Sequence, residues 1–234
     1  MEAYYKIADL TIRMDTFGRT LSQAGPYRCE KSEIDFAIKS NWQNFKMNQP
    51  HLSDEDCEYM STGSSFYHWL IKFDGMLLHS SAVVVDGKAY LFSAPSGTGK
   101  STHTRLWLEH FGDRAVLLND DKPALRLKDG KWYAYGTPWS GKYDISVNIG
   151  APVAGIAIIE RSVDNQIELF TGAKAIMNIL DQTLRPVSRE NREKLMDLVA
   201  SLMSLVPVWK LKCNMDPEAA IVSYNAMSGY EKEK

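Results

Sequence analysis

The run Ala94-Pro-Ser-Gly-Thr-Gly-Lys-Ser101 narrows the fold of this chain more than any other, because it joins a strand pattern to a helical one through two glycines. Upstream, residues 77–85 read as a strand, Asp86-Gly87 is a two-residue hairpin signal, and residues 88–93 read as the return strand. Downstream, residues 101–111 carry a helical pattern and residues 114–118 a short apolar strand that ends at Asp120-Asp121. A strand that enters a glycine loop from a hairpin and leaves it as a helix belongs to an α/β fold.

The chemistry of the loop follows from its backbone. Gly97 and Gly99 let consecutive amides turn inward, so residues Ser96, Gly97, Thr98, Gly99, Lys100, Ser101 and Thr102 form a polarised nest for phosphate oxygens at a helix N-terminus. Lys100 adds a point charge for the outer phosphates of ATP, and the Ser101 hydroxyl suits Mg2+. Ala94 stands where the usual pattern has its first glycine, so the loop entry is expected to keep ordinary dihedrals or to absorb strain of roughly 1 kcal/mol. The competing reading is a plain strand-to-helix turn with a solvated lysine.

Three further positions gather around this signal. Asp120 and Asp121 end an apolar strand, where one acid can serve the metal and the other take a proton from an incoming hydroxyl. Alone, the pair would read as a solvated turn. His79 lies one hairpin away from the loop strand, which places it beside the phosphate site, although a lone strand histidine is usually a packing residue. Lys142, in Trp139-Ser-Gly-Lys142, is a cation for transferred phosphate or a surface lysine. His103 and His110 are expected on the helix after the loop as surface or packing residues. Phe66-Tyr-His-Trp69 is expected as core or sheet face.

Elsewhere, residues 4–14, 34–39 and 66–73 read as short strands, with loops at 22–33 and 44–58. A second hairpin is expected around Asp129-Gly130, a buried strand at 153–160, helices at 173–180 and 190–206, and a closing strand at 208–213. With 234 residues, 44% of them hydrophobic, one full core is attainable, so the chain reads as a single domain. Its parts are a β-rich annex over 1–75, a core over 76–165 and a mainly helical part over 166–234.

Several classes of function are disfavoured. A formal net charge of −2 gives no field of the kind nucleic acid demands. The three cysteines show no metal-ligand spacing and are odd in number, which suits a reducing, cytoplasmic setting. The N-terminus lacks a signal-peptide pattern, and no apolar run approaches the roughly 20 residues of a membrane span.

His79-Ser-Ser-Ala, the hairpin, Phe92-Ser-Ala-Pro-Ser-Gly-Thr-Gly-Lys-Ser-Thr102, the helix and Asn119-Asp-Asp121 together resemble the HPr kinase/phosphorylase and phosphoenolpyruvate carboxykinase superfamily. The likeness is greatest to its small HPr-kinase-like members, found beside peptide-modification and polysaccharide genes. It implies a mixed β-sheet P-loop core, with His79, Lys100, Ser101, Asp120 and Asp121 around a phosphoryl group that moves from ATP to a serine-like hydroxyl. The implied acceptor is a hydroxyl-bearing peptide, protein or small molecule. A non-catalytic ATP-binding accessory module is the alternative, and a homo-oligomer is compatible with either.

Overall fold

The computed structural model describes residues 3–230. The strands are β1 (Ala3–Ile7), β2 (Leu10–Met14), β3 (Arg28–Cys29), β4 (Phe36–Ile38), β5 (Gly75–Leu77), β6 (Ser80–Val85), β7 (Lys88–Ser93), β8 (Ala115–Asn119), β9 (Ala124–Lys128), β10 (Lys131–Tyr135), β11 (Gly150–Arg161), β12 (Gln166–Leu169) and β13 (Val208–Cys213). The helices are α1 (Gly18–Gln23), α2 (Trp42–Asn48), α3 (Asp54–Leu70), α4 (Lys100–Phe111), α5 (Gly172–Asp181), α6 (Arg189–Leu205) and α7 (Glu218–Ser228). Among the described residues no helix is long and apolar enough to cross a membrane.

The protein is mixed α/β. Strands β1–β4 form a four-stranded sheet in the order β3-β1-β2-β4, and the other nine form a second sheet. In the larger sheet β6 pairs antiparallel with β7 and β8, while β7 and β13 both run parallel to β11. Every residue of β6 is buried, and the side chains alternate between two cores. Ala82 and Val84 face a cluster completed by Ile179 of α5 and by Leu195, Leu198, Val199 and Leu202 of α6. Val83 and Val85 face Leu106, Trp107 and Phe111 of α4 and Ala219, Ala220 and Met227 of α7. Helices therefore cover both faces of the strands that carry the loop.

The hairpins, the helix after the loop and the closing strand form as the sequence predicts, but four expectations need correction. Residues 77–85 are two strands broken at Leu78 and His79. Residues 66–73 are the end of α3 and a 3-10 turn rather than a strand, and 44–58 are α2 and the start of α3 rather than a loop. The annex consequently has more helix than strand. After residue 166 helices α5, α6 and α7 predominate, and β12 pairs with the expected closing strand β13 at the edge of the sheet.

Helix α3 has a clear physical origin. The Ser53 hydroxyl oxygen accepts from the amide of Asp56 at 3.0 Å, and Asp54, Glu55 and Asp56 put negative charge at the positive end of the helix. Tyr59, Gly63, Phe66, Tyr67 and Leu70 recur at helical spacing and are all buried.

The same helix carries Glu58, which is fully buried and accepts a hydrogen bond from the Thr20 hydroxyl. Burial pushes the carboxyl up from its ordinary 4.5 to about 7, against the lowering effect of hydrogen bonds from Thr20 and the Phe17 backbone. A carboxyl raised on folding binds more protons in the native state. The stability it contributes is therefore greatest below pH 4.5, declines as pH rises toward 7 and stays low above. Glu58→Gln should stabilise the protein by about 1–3 kcal/mol at pH 8 and by little at pH 4.5, read as the difference between melting curves at the two pH values.

Candidate functional site

The hairpin that delivers the loop turns at Asp86 and Gly87, with φ of 50° and 77°, and sets Val85 opposite Lys88. Strand β7 then runs into the loop, where positive φ falls on Gly97 at 78° and Gly99 at 126°. Ala94 keeps the ordinary sign of φ, so its replacement of the usual glycine costs no backbone strain. Gly99 caps α4, and the next residue, Lys100, turns back so that Nζ donates to the Ala94 carbonyl at 2.8 Å. Burial lowers the Lys100 pKa, a shift opposed by the charge of Asp121. The outer side of the loop is held by Arg161 at the end of β11, which donates from Nε to the Thr98 carbonyl at 3.0 Å and also to the Gly97 carbonyl. Arg161 thereby fixes peptide planes that the glycines alone would leave free. No local motif pointed to it.

The acidic pair is organised by Asn119, the last residue of β8. Its Oδ1 accepts from the amides of Asp121 at 2.9 Å and Lys122 at 2.7 Å. Its Nδ2 donates to the carbonyls of Thr137 at 3.2 Å and Trp139 at 3.1 Å. One buried amide thus shapes the turn bearing both acids and ties it to the loop over residues 136–142. The two carboxylates then diverge. Asp120 is buried and accepts from the Gly141 amide at 2.5 Å; burial, with repulsion from Asp121, raises its pKa. A Cβ on Gly141 would lie 2.9 Å from Oδ2 of Asp120, so this approach requires glycine. Burial also pushes the Asp121 carboxyl up, but hydrogen bonds and charge from His79 and Lys122 outweigh it and hold the group well below the usual carboxylate range.

His79 reaches Asp121 from the break between β5 and β6. Its Nε2 lies 2.6 Å from Oδ1 of Asp121, and its Nδ1 lies 3.0 Å from Oε1 of Gln182. The His79 amide donates to the Gln182 carbonyl at 2.7 Å, so the residue that follows α5 fixes both the backbone and the ring. Lys122 holds the other carboxylate oxygen, Nζ to Oδ2, at 2.5 Å. Gln182 and Lys122 were not singled out in the sequence, since neither lies in a motif and Gln182 is 103 residues from its partner.

A cavity of about 460 Å3 is lined by Ser96, Gly97, Gly99, Lys100, Ser101 and Thr102 on one side and by Asp120, Asp121, Gly141 and Lys142 on the other. The structure therefore brings the loop, the acidic pair and Lys142 around one space. His79 meets this space through Asp121, and Thr98 lines a neighbouring cavity with His103 and Arg161. Lys142 is exposed, with Nζ 4.7 Å from the centre of the Tyr143 ring. Among the described residues no cluster of three or more His, Cys, Asp or Glu could cage a metal alone. The Ser101 hydroxyl and the Asp120 carboxylate fit Mg2+, a hard ion that takes few protein oxygens and completes its shell with water and phosphate.

His103 is a packing residue. It is buried between α4 and α7, with Nε2 3.0 Å from the Ser223 hydroxyl, and burial pushes its pKa down to about 4. The cysteines are free.

No family model matches the chain, and no curated protein matches it. Among solved structures the chain is similar to the HPr(Ser) kinase/phosphatase from Coxiella burnetii, with 12% identity and a TM-score of 0.35. The match covers 64% of this chain and 95% of that one.

Proposed function

We propose that the protein is an ATP-dependent phosphotransferase that moves the γ-phosphoryl group to a hydroxyl. The observation that carries this reading is the single cavity shared by the glycine loop and the two carboxylates Asp120 and Asp121. A magnesium-bound nucleotide accounts for one carboxylate at the far wall; a second, Asp121, suits an incoming hydroxyl.

In this reading the loop amides and Lys100 hold the phosphates, Lys100 exchanging the Ala94 carbonyl for a phosphate oxygen. Ser101 and Asp120 would hold Mg2+, which neutralises charge on the phosphates when bound. Asp121 orients the incoming hydroxyl and takes its proton. Its low pKa makes it a weak base, but it is the acid whose position suits the task, and phosphoryl transfer through a loose transition state asks for little proton abstraction early on. His79 and Lys122 keep this carboxylate ionised and aimed. Lys142 closes on the group in flight.

A γ-labelled ATP transfer assay, paired with calorimetry of ATP binding, tests this. Lys100→Ala should weaken ATP binding at least tenfold and reduce transfer further. A variant that keeps full transfer would remove the loop from the mechanism. ATP binding by the wild type, with neither transfer nor hydrolysis under any condition, would point to the accessory role instead.

A further inference from the structure

A second cavity, of about 660 Å3, shares Asp121, Gly141 and Lys142 with the glycine-loop cavity and extends from there between α3 and the loop over residues 136–142. Its walls are mainly apolar, from Phe45, Leu52, Met60, Trp139 and Leu184. We propose that this is the acceptor chamber of the phosphotransferase, and that it takes a compact, uncharged alcohol with a largely apolar body whose hydroxyl reaches Asp121. The proposal rests on the phosphotransferase reading for its chemistry, but not for the binding it predicts.

The polar groups of the chamber define the occupant by being already engaged. Arg19 donates to Asp144 at 2.6 Å and to the Gly141 carbonyl at 3.1 Å, and lies 3.5 Å from Asp56. Lys122 is paired with Asp121 and donates to the Ser140 carbonyl at 3.3 Å. The Tyr59 hydroxyl is bound between the carbonyl of Ser140 at 3.1 Å and its amide at 2.5 Å, and the Tyr67 hydroxyl reaches the Lys122 carbonyl and Thr137. An ionic acceptor would have to break one of these pairs or be buried unpaired, which is costly. Two groups are exceptions: the Ser140 hydroxyl, buried with no hydrogen-bond partner, and Lys142, which stands on the wall shared with the glycine loop, where a transferring phosphoryl group would need it.

The shape argues against an extended peptide. One wall is the helix α3, whose backbone groups are satisfied internally, so it presents no strand edge for main-chain pairing. The volume falls in the range of small-molecule pockets. A hydroxyl is the one polar group such an occupant needs, and Asp121 is the carboxylate common to both cavities. In the transfer the alcohol oxygen bonds to the γ-phosphorus as the bond from that phosphorus to the β,γ-bridging oxygen breaks. ADP departs with the electron pair, and the hydroxyl proton passes to the Asp121 carboxylate.

Met60 gives the test, because it lines the chamber yet is 46% exposed, so substitutions there should fold. The nucleotide-free protein, carrying methyl-labelled methionine, is titrated with cyclohexanol, 1-hexanol and 2-phenylethanol. A saturable shift of the Met60 methyl resonance is expected with at least one of them. Met60→Glu, which puts a charge into the chamber, and Met60→Trp, which fills it, should each lower transfer to that alcohol at least tenfold and leave ATP affinity unchanged. The proposal is overturned if no alcohol in the set produces a saturable shift. It is equally overturned if a serine-containing peptide is phosphorylated at a rate indifferent to both substitutions. Failure of ATP to bind the wild type would sink the phosphotransferase reading alone, since the methyl titration needs no nucleotide.

Discussion

Asp121→Asn is expected to lower phosphoryl transfer by roughly a thousandfold, a barrier increase of about 4 kcal/mol, while ATP affinity stays within a few-fold of wild type. Asparagine keeps the shape of the side chain, and its carbonyl oxygen can still accept from His79, so the local geometry survives. What it loses is the negative charge that Lys122 neutralises at 2.5 Å and the oxygen that would take the hydroxyl proton. Asp120→Asn should behave differently. Its carboxylate accepts from the Gly141 amide within the glycine-loop cavity and does not line the acceptor side, so its loss should appear as a raised Mg2+ requirement for transfer. The depressed pKa of Asp121 adds a check on pH. A carboxylate whose pKa is lowered on folding remains ionised until the solution is strongly acidic, so transfer should not decline between pH 7 and pH 5 through protonation of this group. Steady-state rates and calorimetric ATP binding for both variants separate these outcomes. An Asp121→Asn variant retaining a tenth of the wild-type rate would remove this residue from proton transfer.

The central part of the fold was legible because its signals are local. Asp86-Gly87 needs only four residues to specify its turn, and the glycine loop needs only a strand before it and a helix after it. Helix α3 was illegible for the opposite reason. Its apolar residues crowd into Phe66-Tyr67-His68-Trp69, a cluster with strand propensity, and the helical repeat emerges only when Tyr59 and Gly63 are counted with them. The Ser53 cap with three acids behind it was the available sign that a helix begins there. The site divides along the same line. His79, Lys100, Asp120 and Asp121 lie in sequence motifs and meet in space, whereas Gln182, Arg161 and Lys122 act by long-range or neighbouring contacts that no motif records. Asn119 was visible as a residue of the acidic motif, but its role as the joint between that motif and the loop over residues 136–142 depends on four hydrogen bonds that only the folded chain creates.

Trp139→Ala should cost about 3–5 kcal/mol, the range for removing a large aromatic from a core, and lower the melting temperature by roughly 10 °C. The ring is 1% exposed, stacks on Phe66 with centroids 4.8 Å apart, and donates from Nε1 to the Thr62 hydroxyl at 3.1 Å. It lies so close to α3 that a Cβ on Gly63 would sit 2.8 Å from its Cδ1. The same residue's carbonyl accepts from Asn119, so this indole fastens the annex helix to the loop that brings Gly141 onto Asp120. Two consequences distinguish this joint from ordinary core packing. Gly63→Ala should destabilise the wild type but be nearly harmless in the Trp139→Ala background, because the atom it strikes is gone; thermal melts of the four proteins in the cycle measure that coupling. Transfer by Trp139→Ala should also fall at temperatures where the variant is fully folded, because Gly141 is no longer held against Asp120 and the acceptor side loses part of its wall. Additive destabilisation by the two substitutions would mean that the loop is fixed through Asn119 alone, and that α3 contributes a wall to the acceptor side without setting the position of the acidic pair.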